Sequence, residues 1–198
     1  NDDGQLDYSD GSVSLSLILE NVGEVDGDDI TITLTSTDSN ITITDGTETG
    51  CSLPGETVTE LTGIFAFDIE TDVDDGHVIE FTWEATDGED TWDGDFNIVA
   101  HAPILELGGF SIDDSAQGND NGRMDPGETV DVLVDIRNVG TSDAFTVLGE
   151  VETNDLYVTI DVSQQTYGDI DAGGEATMAF TVTSNENTPI GHMVEYML

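Results

Sequence analysis

Apolar and polar residues alternate along most of this chain with the two-residue period of strands that bury one face. Val13, Leu15, Leu17 and Leu19 alternate with Ser14, Ser16 and Glu20, and Ile30, Ile32 and Leu34 alternate with threonines. Ile41-Thr-Ile43 forms a shorter run, and Pro54-Gly55 marks a turn. Strands are expected again at Ile64–Ile69, at Val78–Ala85 with Phe81 and Trp83 on one face, and at Phe96–Ala100. His101-Ala-Pro103 reads as a short linker, because proline cannot donate to a sheet. Beyond it the pattern resumes at Ile104–Leu107, Phe110–Ile112, Val130–Ile136, Val147–Val151, Val158–Val162, Ala176–Val182 and Met193–Leu198. No stretch carries a 3.6-residue apolar period long enough for a helix.

The pattern occurs twice. Asn21-Val-Gly23 returns as Asn138-Val-Gly140, and Gly76-His77 returns as Gly191-His192, at a spacing of about 115 to 118 residues. Short strands at regular intervals with turn signals between them indicate β-sandwiches. The expected fold is all-β, in two tandem sandwich domains at residues 1–102 and 103–198. The first copy is expected to be cut at its start. The second is expected to be cut at its end, before an equivalent of Asp90–Ala102.

Charge narrows the partners. The 198 residues include 44 Asp and Glu against two basic residues, Arg123 and Arg137, for a formal charge of −42. Nucleic acid, which is bound through Lys and Arg on phosphates, is excluded, and anionic membrane surfaces are disfavoured. Such a chain repels itself when compact, and bound divalent cations or high salt would relieve the repulsion. Disorder is the competing interpretation of an acidic chain, but 36% hydrophobic residues in regular strand patterns oppose it. No stretch approaches the ~20 apolar residues of a membrane helix. Cys51 is the single cysteine, so no intrachain disulfide forms.

One stretch carries candidate chemistry: Asn119-Asp-Asn-Gly-Arg-Met-Asp-Pro-Gly-Glu128. Calcium takes six to eight oxygen ligands, and an EF-hand loop supplies them at positions 1, 3, 5, 7, 9 and 12 around a glycine at 6. With Gly122 at the sixth place, Asn119, Asn121, Asp125 and Glu128 fall at 3, 5, 9 and 12, and Arg123 offers its carbonyl at 7. Gln117 at position 1 is a weak ligand, so Asp113 or Asp114 is expected to reach in. The first copy places Asn1, Asp3, Asp7 and Asp10 around Gly4, with Tyr8, Ser9 and Gly11 departing from the second. Turns rich in Asn, Asp and Gly also occur with no ligand at all. The flanks here are strands, so this is not an EF-hand in the strict sense.

These residues, together with Arg137-Asn-Val-Gly140 and Tyr157-Val-Thr-Ile160, resemble the immunoglobulin-like modules of gingipain-type and other large secreted proteins of the Bacteroidetes. The resemblance covers the second half and, more loosely, the first. It implies immunoglobulin-like sandwiches in a secreted or cell-surface protein, many of which use the type IX route. It also makes Ser115, in Asp114-Ser-Ala116, an acceptor for O-glycosylation.

Other constellations are weaker. Cys51, in Gly-Cys-Ser-Leu-Pro, reads as a free thiol in a turn, and His77 and His192 occupy matched positions that suit a structural task such as holding a turn. Trp83, Trp92, Tyr157 and Tyr167 are candidates for a sugar platform; Trp83 falls on the apolar face of its strand, which leaves Trp92 as the ligand-binding candidate. The threonines of Ile30–Thr35 and Ile41–Thr44 are what any exposed strand face prefers. The sequence therefore predicts a non-catalytic, calcium-stabilised extracellular spacer within a larger, possibly fibre-forming protein. Its expected partners are neighbouring repeats or other copies, and glycan or a surface protein. The alternatives are an adhesin module and the accessory region of a gingipain-like peptidase.

Overall fold

The computed structural model describes residues 4–198, and the chain is all-β. It divides into two compact units, Asn1–Ala102 and Pro103–Leu198, each an immunoglobulin-like β-sandwich.

The first unit contains β1 (Leu6–Asp7), β2 (Ser12–Asn21), β3 (Gly27–Thr35), β4 (Ile41–Asp45), β5 (Thr47–Leu53), β6 (Thr57–Ile69), β7 (Val78–Thr86) and β8 (Thr91–His101). One sheet runs β1-β8-β7-β3-β5 and faces a three-stranded sheet, β2-β6-β4. Alternation sends Ile30, Ile32 and Leu34 of β3, Ile79 and Phe81 of β7, and Phe65 and Phe67 of β6 into one core. The ring of Phe81 lies 5.3 Å from that of Phe67 on the facing sheet and is stacked at 5.1 Å on Phe96 of β8. Cys51 lies in β5, in a strand instead of the expected turn, with its side chain in this core. Burial raises its thiol pKa, and Glu48 adds to the effect.

The second unit contains β9 (Leu105–Asp113), β10 (Thr129–Asn138), β11 (Ala144–Glu150), β12 (Val158–Ile160), β13 (Gln164–Ile170) and β14 (Glu175–Ser184). Its sheets run β12-β14-β10-β9 and β11-β13. Val132, Val134 and Ile136 of β10, Phe180 and Val182 of β14, and Tyr167 and Ile170 of β13 form its core. Tyr167, a platform candidate by sequence, is instead a core residue whose hydroxyl donates to the Val134 carbonyl at 3.1 Å.

Five strands correspond between the units, while β9, paired with β10, has no counterpart beside β2. β10, β14 and β12 repeat the pairing of β2, β6 and β4, and β11 with β13 repeats β3 with β5. The correspondence stops where β7 begins. The expected strand Met193–Leu198 is reduced to a single bridge, Glu152 to Met197, at the place of Thr35 opposite Thr82. One bridging pair cannot propagate a ladder, which is why no strand forms there.

An asparagine closes the same corner in both units. Asn138 is 1% exposed; its amide donates to the carbonyls of Ser142 (2.8 Å) and Ile170 (3.1 Å). Its Oδ1 accepts from the N–H groups of Ile104 and Gly140, both at 3.1 Å. Asn21 repeats the arrangement near the surface, donating to Val25 and Leu53 and accepting from Gly23.

With almost no basic side chains, the outward carboxylates of the second unit find hydroxyls. Thr177 donates to Asp135 (2.6 Å), Thr181 to Asp131 (2.7 Å) and Thr183 to Asp161 (2.6 Å). Each bond joins neighbouring strands or an adjoining loop across the solvent face.

Candidate functional site

The loop between β9 and β10 is built by its own carboxylates. Asp114, buried at its start, accepts from the backbone N–H of Asn121 at 2.8 Å and of Gly122 at 3.1 Å. Glu128, at its end, accepts from the N–H of Asn119 through Oε1 and of Asp125 through Oε2, both at 2.8 Å. Three residues need glycine, Gly127 among them through its φ of 81°. Gly122 has φ of 73°, which a side chain resists. A Cβ on Gly118 would stand 2.5 Å from Glu128 Oε1 and 2.7 Å from the Asp114 carbonyl. Ser184, at the end of β14, ties the loop to the sheet by donating to the Asp125 carbonyl and accepting from the Glu128 N–H. Met124 anchors the loop on the second core.

Inside this frame the side-chain amides of Asn119 and Asn121 both point at Asp125 Oδ2, each at 2.8 Å. Those two hydrogen bonds, Asn119's first, hold the Asp125 carboxyl below its ordinary range, with Arg123 contributing by charge. The structure thus brings together Asn119, Asn121 and Asp125 of the expected set. It assigns Glu128 and Asp114 to bracing the backbone. Among the described residues no group of three or more His, Cys, Asp or Glu side chains is arranged to hold a metal. The fit to a cation therefore depends on amide and backbone oxygens. A half-turn of each amide exchanges Nδ2 for Oδ1 at nearly the same place, which would turn two amide oxygens toward the Asp125 carboxylate in place of the two N–H donors seen here.

In the first copy, Asn1 and Asp3 lie outside the described residues. The Asp7 N–H donates to Asp10 Oδ2 at 2.9 Å, the counterpart of the bond from Asp125 to Glu128. Tyr8, where the second loop has Pro126, packs on the first core.

A second duplicated feature escaped the sequence reading in part. His77 Nε2 lies 2.7 Å from Asp38 Oδ2, and His192 Nε2 lies 2.7 Å from Asp155 Oδ2. In each copy a hydroxyl two residues before the aspartate donates across to a strand or segment carbonyl: Ser36 to Glu80 at 2.7 Å, Thr153 to Glu195 at 2.8 Å. Burial raises the pKa of Asp38, but hydrogen bonds from the Asn40 backbone and from His77 outweigh it and the net shift is downward. Asp155 is lowered chiefly by the Tyr157 N–H, with His192 contributing. These pairs clamp the segment after β3, or after β11, to the segment that follows the matched Gly-His turn. A cleft of about 330 Å³ opens beside the first, lined by Thr37, Ser39, Val78 and Glu80 among others. The matched aspartates were legible only as Ser36-Thr-Asp38 against Thr153-Asn-Asp155, a short polar echo.

Trp92 is 47% exposed, at the open end of β8. Ser115 is exposed, and its hydroxyl donates to Asp113 at 2.6 Å. Ser115 thus sits at the start of the loop with its hydroxyl turned to Asp113, and Trp92 belongs to the first unit. No helix among the described residues is long and apolar enough to cross a membrane.

No family model matches the chain, and no curated protein matches it. Solved structures do match. One is a complex of the chaperone CsuC with the tip adhesion subunit CsuE from archaic chaperone-usher Csu pili of Acinetobacter baumannii, at 8% identity and a TM-score of 0.28, covering 88% of this chain and 85% of that one. Another is the YadV chaperone, at 12% identity and a TM-score of 0.30, covering 96% and 86%. Likeness at this level carries no role over to this chain.

The expected membership among gingipain-type modules of the Bacteroidetes does not stand: no family model matches the chain, and the solved structures that match are not of that kind. The calcium-stabilised spacer, the adhesin module, the peptidase accessory region and type IX export do not stand either. Neighbouring repeats and further copies as partners go with them. What remains of the cation expectation is the geometry of the loop itself.

Proposed function

We propose that the chain belongs to an exported, non-catalytic binding protein whose second unit takes up a calcium ion in the Asp114–Glu128 loop. The observation that carries this reading is the convergence of Asn119 and Asn121 on Asp125 Oδ2, each at 2.8 Å. Two amides and a carboxylate held by a braced backbone are hard oxygen donors of the kind calcium prefers over softer metals. With Asp114 and Glu128 already engaged by N–H groups, the site is a weak one. Affinities of about 10⁻⁴–10⁻³ M are those of extracellular calcium modules, which suits export. A charge of −42 favours uptake of any divalent ion, so specificity has to be tested against general screening.

The test is thermal unfolding of the 198-residue chain in calcium, in magnesium and in chelator, all at one ionic strength. A ligand that binds only the folded state adds about 2.7 kcal/mol at a hundredfold over its dissociation constant. Asp125→Ala and Asn121→Ala are each expected to remove most of the calcium-dependent shift, measured against the same variant in chelator. Equal melting in calcium, magnesium and chelator would overturn the reading.

A further inference from the structure

One peptide bond of the second unit is polarised beyond what its turn requires. Asp125-Pro-Gly-Glu128 closes the loop as a type II turn, with proline at the second place and the left-handed Gly127 at the third. Such a turn supplies one donor to the carbonyl of its first residue, and here the Glu128 N–H lies 3.1 Å from the Asp125 oxygen. A strand far along the chain adds another. Ser184, 3% exposed at the end of β14, donates its hydroxyl to the same oxygen. Two donors on one carbonyl oxygen are the arrangement that stabilises a tetrahedral oxyanion.

The other parts of a cleavage reaction lie within the same two residues. Both asparagine amides engage Asp125 Oδ2, and no hydrogen bond among the described residues takes Oδ1. Attack by Oδ1 on the residue's own carbonyl carbon closes a five-membered ring, with no entropy of encounter to lose. The leaving group is the Pro126 nitrogen, a tertiary amide without an N–H, which takes a proton more readily than a secondary one. Of the four prolines, only Pro126 follows an aspartate.

We propose that the chain cleaves itself between Asp125 and Pro126. Asp125 Oδ1 bonds to the Asp125 carbonyl carbon while Ser184 Oγ and the Glu128 N–H hold the oxyanion. The bond to the Pro126 nitrogen then breaks as water protonates that nitrogen. A second water opens the cyclic anhydride, which leaves Asp125 with two carboxylates and Pro126 with a free secondary amine. The event occurs once per chain and is not turnover. Because β9 stays paired with β10, the product is a nicked sandwich whose pieces, residues 1–125 and 126–198, part on denaturation.

The test incubates the full chain in chelator, which keeps cations from Asp125, and follows the two fragments by intact mass under denaturing conditions. A synthetic peptide of residues 119–130, with the bond but not the fold, is the reference. The native chain is expected to cleave at this bond about tenfold or more faster than the peptide. Asp125→Asn is expected to abolish cleavage, and Pro126→Ala, at an exposed position, to suppress it. Ser184→Ala is expected to slow it about a hundredfold, the lower end for loss of one oxyanion donor. Ser184→Thr keeps the hydroxyl and is expected to keep the rate; slowing equal to that of Ser184→Ala would assign the effect to packing and overturn the proposal. Cleavage no faster in the chain than in the peptide, or in neither, would overturn it as well. So would an unchanged rate in Ser184→Ala, or a product that persists in Asp125→Asn and therefore comes from a contaminating protease.

Discussion

Replacing Asn138 by alanine removes two donated and two accepted hydrogen bonds from a corner that water does not reach. At about 1 kcal/mol net for each bond, with an added penalty for groups left unpaired in the interior, Asn138→Ala is expected to cost the second unit about 3–5 kcal/mol. Asn21→Ala is the internal control. It breaks the matching bonds at a partly exposed corner, where water replaces the lost partners, and is expected to cost about 1 kcal/mol. Asn138→Asp separates the two halves of the effect. A carboxylate still accepts from Ile104 and Gly140 but faces the Ser142 and Ile170 carbonyls with nothing to donate, so it is expected to cost at least as much as alanine. Trp83 and Trp92 are the only tryptophans, and both lie in the first unit. Their emission during urea unfolding therefore follows that unit alone. Hydrogen exchange at β10 and β14 follows the other. For an m-value near 2 kcal/mol/M the second unit's midpoint is expected to fall by roughly 2 M, with the tryptophan transition unmoved. A shift for Asn138→Ala no larger than that for Asn21→Ala would refute the reasoning.

Other outcomes follow from the same structure. The Asp38 and Asp155 carboxyls are lowered from the ordinary value of 3.8. Each therefore contributes stability that is present above that value and is lost as pH falls through the lower, folded one. In Asp38→Asn/Asp155→Asn the fall in urea stability below about pH 4 should be shallower than in the parent; equal slopes would show that other carboxylates carry it. A Cβ on Gly94 would lie 2.8 Å from Trp83 Nε1 and 3.0 Å from two of its ring carbons. Gly94→Ala is accordingly expected to displace the indole, shift tryptophan emission to the red and cost about 1–3 kcal/mol. An unchanged spectrum would mean that the sheet, not the ring, gives way.

The strands with clean alternation were legible because each buries one face: β2, β3, β7, β10 and β14 all lie where the pattern put them. β5 and β13 were not. Thr47–Leu53 sends little but Cys51 into the core, and Gln164–Ile170 sends Tyr167 and Ile170 from a polar run. Their pairing comes from neighbours far along the chain, and no local pattern announces that. The loop was legible as a concentration of oxygen ligands, but the division of labour within it was not. Whether a carboxylate braces N–H groups, as Asp114 and Glu128 do, or faces inward, as Asp125 does, is set by backbone torsions such as the left-handed Asp120 and Gly122. The histidines stood out by repetition, whereas their aspartate partners were lost among 44 acids.

The threonine-to-aspartate rungs across β10 and β14 have a consequence for how this sheet meets brine or fresh water. A neutral donor facing an anion has no net charge for small ions to screen, so those rungs hold equally in either medium. Only the single Arg137–Glu175 pair among the described strands joins opposite permanent charges, and it sits at the surface. Added electrolyte then has little to loosen between these strands. What it quiets is the diffuse mutual repulsion of the acids, so this fold is expected to gain from salinity without owing its lateral cohesion to it.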